Sequence, residues 1–386
     1  MRIVLNLLPL KTGGGVQVAS DFIKYLATIE DQHEWHAVAR KGMPFFSRGA
    51  SKVFKSITEV EDTIWHRVAF EAFSGRKLVR RLRADVVYTI FGPQWFGVAC
   101  PSVVGCAYSN LLYPEVFFWQ DLPLRSRIIR YAIDWYRKRR LIVADGAIFE
   151  TDELAARAVR LLNLEQERVI CVMPKPSSLV VAEQSKAMAT TRLGDLPDGF
   201  NVLVLVGYHP NKRLHLIAES LRTLHENGHR DVYFIVTLPS SPDVERLLDT
   251  ARSYGVLEWI INVGQVAPSD CASLYQVSNA VLVASRLESF SNTISEAWQM
   301  QVPLIACDQQ WAKQICNKAA LYFAFDSAPD LARQILRLKN DSVLCDQLKR
   351  DGREALKAYP DSATRYKQII AFLEMIVRLR RGVGRI

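Results

Sequence analysis

The chain is short of the features that would place it in several large classes of protein. No apolar run approaches the ~20 residues that a helix needs to cross a bilayer. The opening MRIVLNLLPL has one Arg, a brief apolar stretch and no small-x-small cleavage site before the glycines, so a buried strand is expected rather than a signal peptide. The cysteines number seven, an odd count with no CxxC pair, which argues against a disulfide or zinc framework and for free thiols in a reducing compartment. Low-complexity tracts and short-period repeats are absent. Hydrophobic residues at 49% and charged residues at 23% are globular values that disfavour disorder and coiled coil. A length of 386 residues exceeds a single core and implies two or three domains.

The excess of basic over acidic charge lies mainly in one half. Residues 1–180 hold 25 Lys/Arg against 18 Asp/Glu, whereas residues 181–386 hold 24 against 22, within a total net charge of +9. A basic N-terminal half suits an anionic partner: a membrane surface, a phosphate substrate or a nucleic acid.

Short β-branched runs alternate with longer helical patterns throughout. Strands are expected at Arg2–Leu8, Trp35–Arg40, Asp85–Ile90, Ser102–Ala107, Gly146–Phe149 and Val169–Met173, then at Asn201–Val206, Asp231–Leu238, Trp259–Val263, Ala280–Ala284, Pro303–Cys307 and Ala320–Phe323. Continuous apolar strands separated by helices predict parallel sheets covered on both faces, an α/β doubly wound class. The Pro-, Ser-, Ala- and Gln-rich stretch 174–197 breaks the rhythm and is the expected linker. The domain boundaries that follow are 1–178, 179–360, and a terminal helix within 361–386 that packs back on the first domain.

Ligands of open α/β sheets bind beyond the carboxyl ends of strands. The first exit carries Gly13, Gly14 and Gly15 ahead of a helix, without the pattern of a GxGxxG or Walker loop. Either its amides approach a phosphate or sugar oxygen, or the glycines serve a tight turn with close helix packing. The exit Gly207-Tyr208-His209-Pro210-Asn211-Lys212-Arg213 places cations where an anionic ligand is held. The exit Ser285-Arg286-Leu287-Glu288-Ser289-Phe290-Ser291-Asn292-Thr293-Ile294-Ser295-Glu296 sets one carboxylate in a loop and one on a helix, with Ser291, Asn292 and Thr293 suited to cap that helix. Loop amides and the positive helix end suit a diphosphate, and the carboxylates suit sugar or ribose hydroxyls; Glu296 equally suits the helix dipole alone.

This segment resembles the signature of the family 4, group 1 retaining glycosyltransferases of the GT-B fold, E-x7-E within S-x-x-E-G-F-G-x-x-x-x-E-A, through Ser285, Glu288, Phe290, Ser291, Glu296 and Ala297. Leu274-Tyr275, Val302-Pro303-Leu304-Ile305-Ala306 and Ala319-Ala320-Leu321-Tyr322-Phe323 extend the resemblance, as do Gly13–Val16 and the turn His209–Lys212. It implies two Rossmann-like domains facing a central cleft, the first for the acceptor and the second for the nucleotide-sugar. By the same resemblance Glu296 binds the nucleotide ribose and Glu288 the donor sugar. Lys212, with Arg213 as neighbour or rival, neutralises the diphosphate leaving group. Gly207 and the stretch Ser289, Phe290, Ser291, Asn292 and Thr293 hold sugar and phosphate, and Gly13–Gly15 form the acceptor-side loop. Tyr208 stands where the family carries Arg, Ser289 and Ser291 replace its glycines, and Ala107-Tyr108-Ser109-Asn110 lacks its His-Asp pair. No D-x-D metal chelate occurs, so neither a metal nor another cofactor is expected beside the nucleotide-sugar substrate.

The helix 124–140 is basic and amphipathic, with Leu124, Ile128, Tyr131 and Trp135 on one stripe. It either packs that stripe into the core or rests on a membrane, and 76–83 is a second basic run. Aromatics at 91–96 and 113–119 either line an acceptor site or pack ordinarily. The resulting expectation is hexose transfer to a lipid-linked or oligosaccharide acceptor in lipopolysaccharide O-antigen or capsule assembly. The enzyme would lie peripherally on the inner face of the cytoplasmic membrane, an anionic surface, with no nucleic-acid partner. The alternatives are a nucleotide-sugar epimerase of GT-B fold and a non-catalytic nucleotide-sugar-binding or membrane scaffold.

Overall fold

The computed structural model describes residues 1–11, 13–30, 32–43, 53–174, 196–267 and 270–383; Thr12 and nearly all of the expected linker 174–197 lie outside them. The chain divides into two compact units, Met1–Pro174 with Pro360–Ile386, and Lys175–Tyr359.

The first unit runs β1 (Arg2–Asn6), α1 (Gly14–Leu26), β2 (Glu34–Arg40), β3 (Phe54–Val60), α2 (Ile64–Ala69), a π turn (Phe70–Ser74), α3 (Gly75–Leu82), β4 (Val86–Thr89), β5 (Ser102–Cys106), α4 (Leu124–Ile142), β6 (Gly146–Phe149), α5 (Asp152–Leu162) and β7 (Val169–Cys171). Among the described residues its sheet is parallel in the order β3-β2-β1-β4-β5-β6-β7. β3 escaped the sequence reading because FKSITEV is an edge strand with half its residues polar. The strands β1, β4, β5 and β6 are buried on both faces and read as mainly apolar runs.

The second unit runs β8 (Phe200–Val204), α6 (His215–Glu226), β9 (Val232–Val236), α7 (Pro242–Ser253), β10 (Ile260–Asn262), α8 (Cys271–Gln276), β11 (Ala280–Val283), α9 (Asn292–Gln299), β12 (Leu304–Cys307), α10 (Gln310–Cys316), β13 (Leu321–Phe323), α11 (Ala328–Asn340) and α12 (Ser342–Leu356). Its parallel sheet has the order β10-β9-β8-β11-β12-β13. Both sheets are therefore doubly wound, with the strand order reversing between β1 and β4 and between β8 and β11.

The terminal helix α13 (Ser362–Val383) belongs to the first unit. Asp361 caps its start, accepting from the Thr364 N–H at 2.6 Å. Tyr366, Ile369, Phe372 and Ile376 then join the core built on β1, β4 and α1. The helix lies so near β6 that a Cβ on Gly146 would stand 3.0 Å from Ile376 Cγ1, which accounts for the glycine. Arg380 reaches Asp145 at 3.2 Å and Arg381 reaches Asp85, so the cationic helix end is tied to acids that precede β6 and β4.

Candidate active site

β8 and β11 are neighbours, with Ala280 paired to Val202, and the chain leaves them towards opposite sides of the sheet. Their exits meet at the position where such sheets collect ligands. After β8 the chain passes the exposed Gly207 and Tyr208 to His209, whose Nδ1 accepts from the Asn211 N–H at 3.1 Å. Pro210–Lys212 make one 3₁₀ turn, closed by Arg213 in the left-handed region at φ 51°.

Asn211 holds the two exits together. Its buried side chain donates through Nδ2 to the Leu287 carbonyl at 2.7 Å and accepts at Oδ1 from the Leu287 N–H at 3.1 Å. Its own carbonyl accepts from the Arg286 N–H at 2.8 Å. The residue after Asn211 is Lys212 and the residue after Leu287 is Glu288, and the Lys212 ammonium is paired with the Glu288 carboxylate. The glutamate loop is fixed on its other side by the Cys307 thiol, which donates to the Ser285 carbonyl at 2.8 Å, and by Trp311 Nε1, which donates to the Arg286 carbonyl at 3.1 Å.

Arg213 is turned elsewhere. Its guanidinium forks onto Asp326, with Nε 2.8 Å from Oδ1, and His215 Nε2 lies 3.2 Å from the same oxygen. Burial works to raise the Asp326 carboxyl, but the Arg213 hydrogen bond and charge, with His215, hold it below the ordinary aspartate value. Lys212 and Arg213, inseparable by spacing, thus have distinct partners.

At the start of α9 Ser291 occupies the cap position, yet its hydroxyl makes no capping bond. The helix begins without a side-chain cap, and its first amides carry the partial positive charge that attracts an anion. Thr293 Oγ1 donates to the Leu205 carbonyl at 3.4 Å, linking the helix to the β8 exit. Ser289, Asn292 and Thr293 are half-buried; Phe290 is buried beside the Tyr359 ring, 5.9 Å between centroids. Glu296 is buried, and the fully buried Tyr275 hydroxyl donates to its Oε2 at 2.8 Å. Burial pushes the Glu296 carboxyl above its ordinary value, and the Tyr275 hydrogen bond offsets part of that rise.

Gly13, Gly14 and Gly15 belong to the first unit, where the exits of β1 and β4 interlock. Gly13 caps α1 at φ 74°, a conformation that favours glycine. A Cβ on Gly15 would come within 2.9 Å of Leu10 Cδ2, and one on Gly92 within 2.2 Å of the Pro9 ring. Close packing thus accounts for Gly15, while Gly13 and Gly14 are exposed. The aromatics of this unit divide. Trp95, Tyr113 and Trp119 are buried packing residues, whereas Phe96 and Phe117 are exposed.

Asn211, Tyr275 and Asp326 were not assigned roles from sequence. Asn211 sits in the turn after β8, but its partner is 76 residues away, and Asp326 stands 113 residues from Arg213. Tyr275 had only its place in the Leu-Tyr pair as a signal. Among the described residues no group of three or more His, Cys, Asp or Glu is placed to hold a metal ion.

Residues 194–355, within the second unit, match the family model for glycosyl transferases group 1, and this supports a group 1 glycosyltransferase. Two curated D-inositol 3-phosphate glycosyltransferases are similar in sequence. That of Gordonia bronchialis is 28% identical over 173 residues, covering 43% of this chain, and that of Acidothermus cellulolyticus is 28% identical over 172 residues, covering 42%. Each match spans 38% of the relative's own length. Whole-chain likeness comes from solved structures. Anabaena Alr3699/HepE in complex with UDP and glucose superposes at TM-score 0.72 with 16% identity, over 97% of this chain and 99% of that one. Sucrose-phosphate synthase from Thermosynechococcus elongatus gives 0.73 at 16%, over 100% and 99%. WaaG, a glycosyltransferase involved in lipopolysaccharide biosynthesis, gives 0.70 at 16%, over 96% and 98%. The fold is GT-B: two Rossmann-like, doubly wound parallel-sheet units.

Proposed function

We propose that the protein is a retaining glycosyltransferase that moves a hexose from a nucleotide-sugar to a glycan acceptor carried on a lipid, in the assembly of a surface polysaccharide such as O-antigen or capsule. The observation that carries this reading is the Lys212–Glu288 pair, set by Asn211 at the β8/β11 switch point beside the start of α9. A donor diphosphate competes with Glu288 for the Lys212 ammonium and takes the α9 amides on its other side. Glu288, released, accepts hydrogen bonds from the donor sugar. Glu296, one turn into α9, accepts from the ribose.

In the transfer the bond from the sugar anomeric carbon to the diphosphate oxygen breaks, and the acceptor hydroxyl bonds to that carbon from the same face. The acceptor proton passes to a departing phosphate oxygen, and configuration is retained. Lys212 and the helix start meet the developing phosphate charge, so no metal is required; the absence of a D-x-D chelate from the sequence accords with this. Support for a nucleotide-sugar donor comes from the Alr3699/HepE structures, which hold UDP, UDP-glucose, or UDP and glucose. A thermal-shift screen across UDP, GDP and dTDP tests the donor half. One of them is expected to raise the melting temperature of the wild type and not of Lys212→Ala. No response to any of the three, or an equal response in the variant, would overturn it.

A further inference from the structure

Helix α4 is amphipathic in the reverse of the usual sense. Its inner side is held by polar groups, Asp134 and Arg140, while Arg125, Arg130, Lys138 and Arg139 are exposed. The buried Asp134 accepts from Asn110 Nδ2 and from Trp119 Nε1, each at 2.6 Å, and Arg140 Nε donates to the Gln94 carbonyl at 3.1 Å. Its apolar stripe, which a core-packed helix would bury, faces outward: Leu124 is 70% and Trp135 64% exposed, with Ile128 and Tyr131 exposed between them. Hydrogen bonds hold this helix to the unit, and its apolar face is left uncovered.

A second uncovered apolar element adjoins it. On α2, Trp65 is 79% and Ile64 71% exposed. The π turn after α2 is joined to α4 through Phe96, whose N–H donates to the Glu71 carbonyl at 3.3 Å and whose ring lies 5.9 Å from that of Tyr136. The surroundings are cationic. α4 carries seven Lys/Arg and a single acid, the buried Asp134, and α3 carries the exposed Arg76, Lys77, Arg80 and Arg81. Among the described residues no helix is long and apolar enough to cross a membrane. Exposed Trp and Tyr, with aliphatic residues beside them and Arg and Lys around them, match the chemistry of a headgroup–acyl boundary bearing negative charge.

We propose that α2 and α4 together form a two-part seat by which the first unit lies on an anionic lipid bilayer, with Trp65 and Trp135 entering the interface and the cations of α3 and α4 meeting lipid phosphates. The seat would bring a lipid-linked acceptor to the enzyme, and in that purpose it rests on the proposed function; its chemistry does not.

The test is flotation of the full chain with phosphatidylcholine vesicles, with and without phosphatidylglycerol, at low salt. Three double variants are compared with wild type: Ile64→Ser/Trp65→Ser, Leu124→Ser/Trp135→Ser and Arg125→Gln/Lys138→Gln. Wild type is expected to float with the anionic vesicles only. Each cation near an anionic surface strengthens binding about fivefold, so the charge pair should weaken it about 25-fold. Each apolar pair should weaken it by about tenfold or more. All the substituted side chains are exposed, so melting temperatures and nucleotide-induced shifts should stay at the wild-type values. Absence of flotation with anionic vesicles, or flotation that all three pairs leave unchanged, overturns the proposal. So does a wild-type dimer in sedimentation that the apolar pairs dissociate while flotation is nil, because the seat would then be an interface between copies. Flotation intact with no response to any nucleoside diphosphate would instead remove the donor reading and leave the seat standing.

Discussion

Replacement of Asn211 by alanine isolates the contact on which the site depends. The side chain makes both of its hydrogen bonds to the backbone of Leu287, a residue 1% exposed, so truncation leaves a buried N–H and a buried carbonyl without the side-chain partner and no route to bulk water. A buried polar group left unmatched costs about 1–3 kcal/mol, which puts the loss at about 2–6 kcal/mol for the pair. In a unit of this size each kcal/mol moves the melting point by about 2–4 °C, so the second unit should melt roughly 4–24 °C lower. Lys212 and Glu288 follow directly after the two joined residues, so the same change should loosen their pairing and weaken nucleotide binding. Asn211→Asp removes only the Nδ2 donation to the Leu287 carbonyl and sets a second acceptor there. It should also destabilise, which separates hydrogen bonding from volume. Calorimetric melting with and without nucleotide reads both effects. A shift within about 1 °C, with affinity unchanged, would refute the reasoning, because the exits would then be held by something other than Asn211.

Other consequences concern the buried carboxylate and the glycines. Glu296 titrates above its ordinary value of 4.5, so nucleotide affinity should fall on acidification at a pH higher than that value. Tyr275→Phe removes the hydrogen bond that lowers it and should move the loss to a still higher pH; an affinity–pH profile unchanged by the variant contradicts the assignment of Glu296. The stability effect has the opposite sign. A carboxyl raised on folding penalises the fold when ionised, so its contribution improves as pH falls through the folded value towards 4.5. In the first unit, Gly92→Ala drives a Cβ into a proline ring and should cost about 3 kcal/mol, whereas Gly15→Ala meets the movable end of Leu10 and should cost about 1 kcal/mol. Denaturant melts giving the reverse order would be inconsistent with that packing.

The parallel-sheet architecture was legible because strands buried on both faces are written as apolar runs, and the α/β alternation was plain from them. β3 was not, since FKSITEV at a sheet edge keeps Lys55 and Glu59 in solvent and loses the signal. Lys212, Glu288 and Glu296 could be named from motif resemblance. Their surroundings could not, because Asn211 meets Leu287, and Arg213 meets Asp326, across distances in sequence that no local pattern encodes. The direction of the α4 stripe was equally hidden. An apolar row at helical spacing suits either the core or a membrane surface, and only Asp134 and Arg140, anchored on the inner side, reveal that this row is turned outward.

Transfer of labelled sugar from the nucleotide-sugar whose nucleoside diphosphate binds, measured for wild type and Glu288→Gln with nucleotide affinity recorded in parallel, tests the central claim most directly. Wild type should transfer label to a lipid-extract acceptor. Glu288→Gln, with the Lys212 ammonium no longer paired to a carboxylate, should bind the diphosphate at least as tightly and yet lose transfer. Turnover near the wild-type rate in Glu288→Gln would contradict the account.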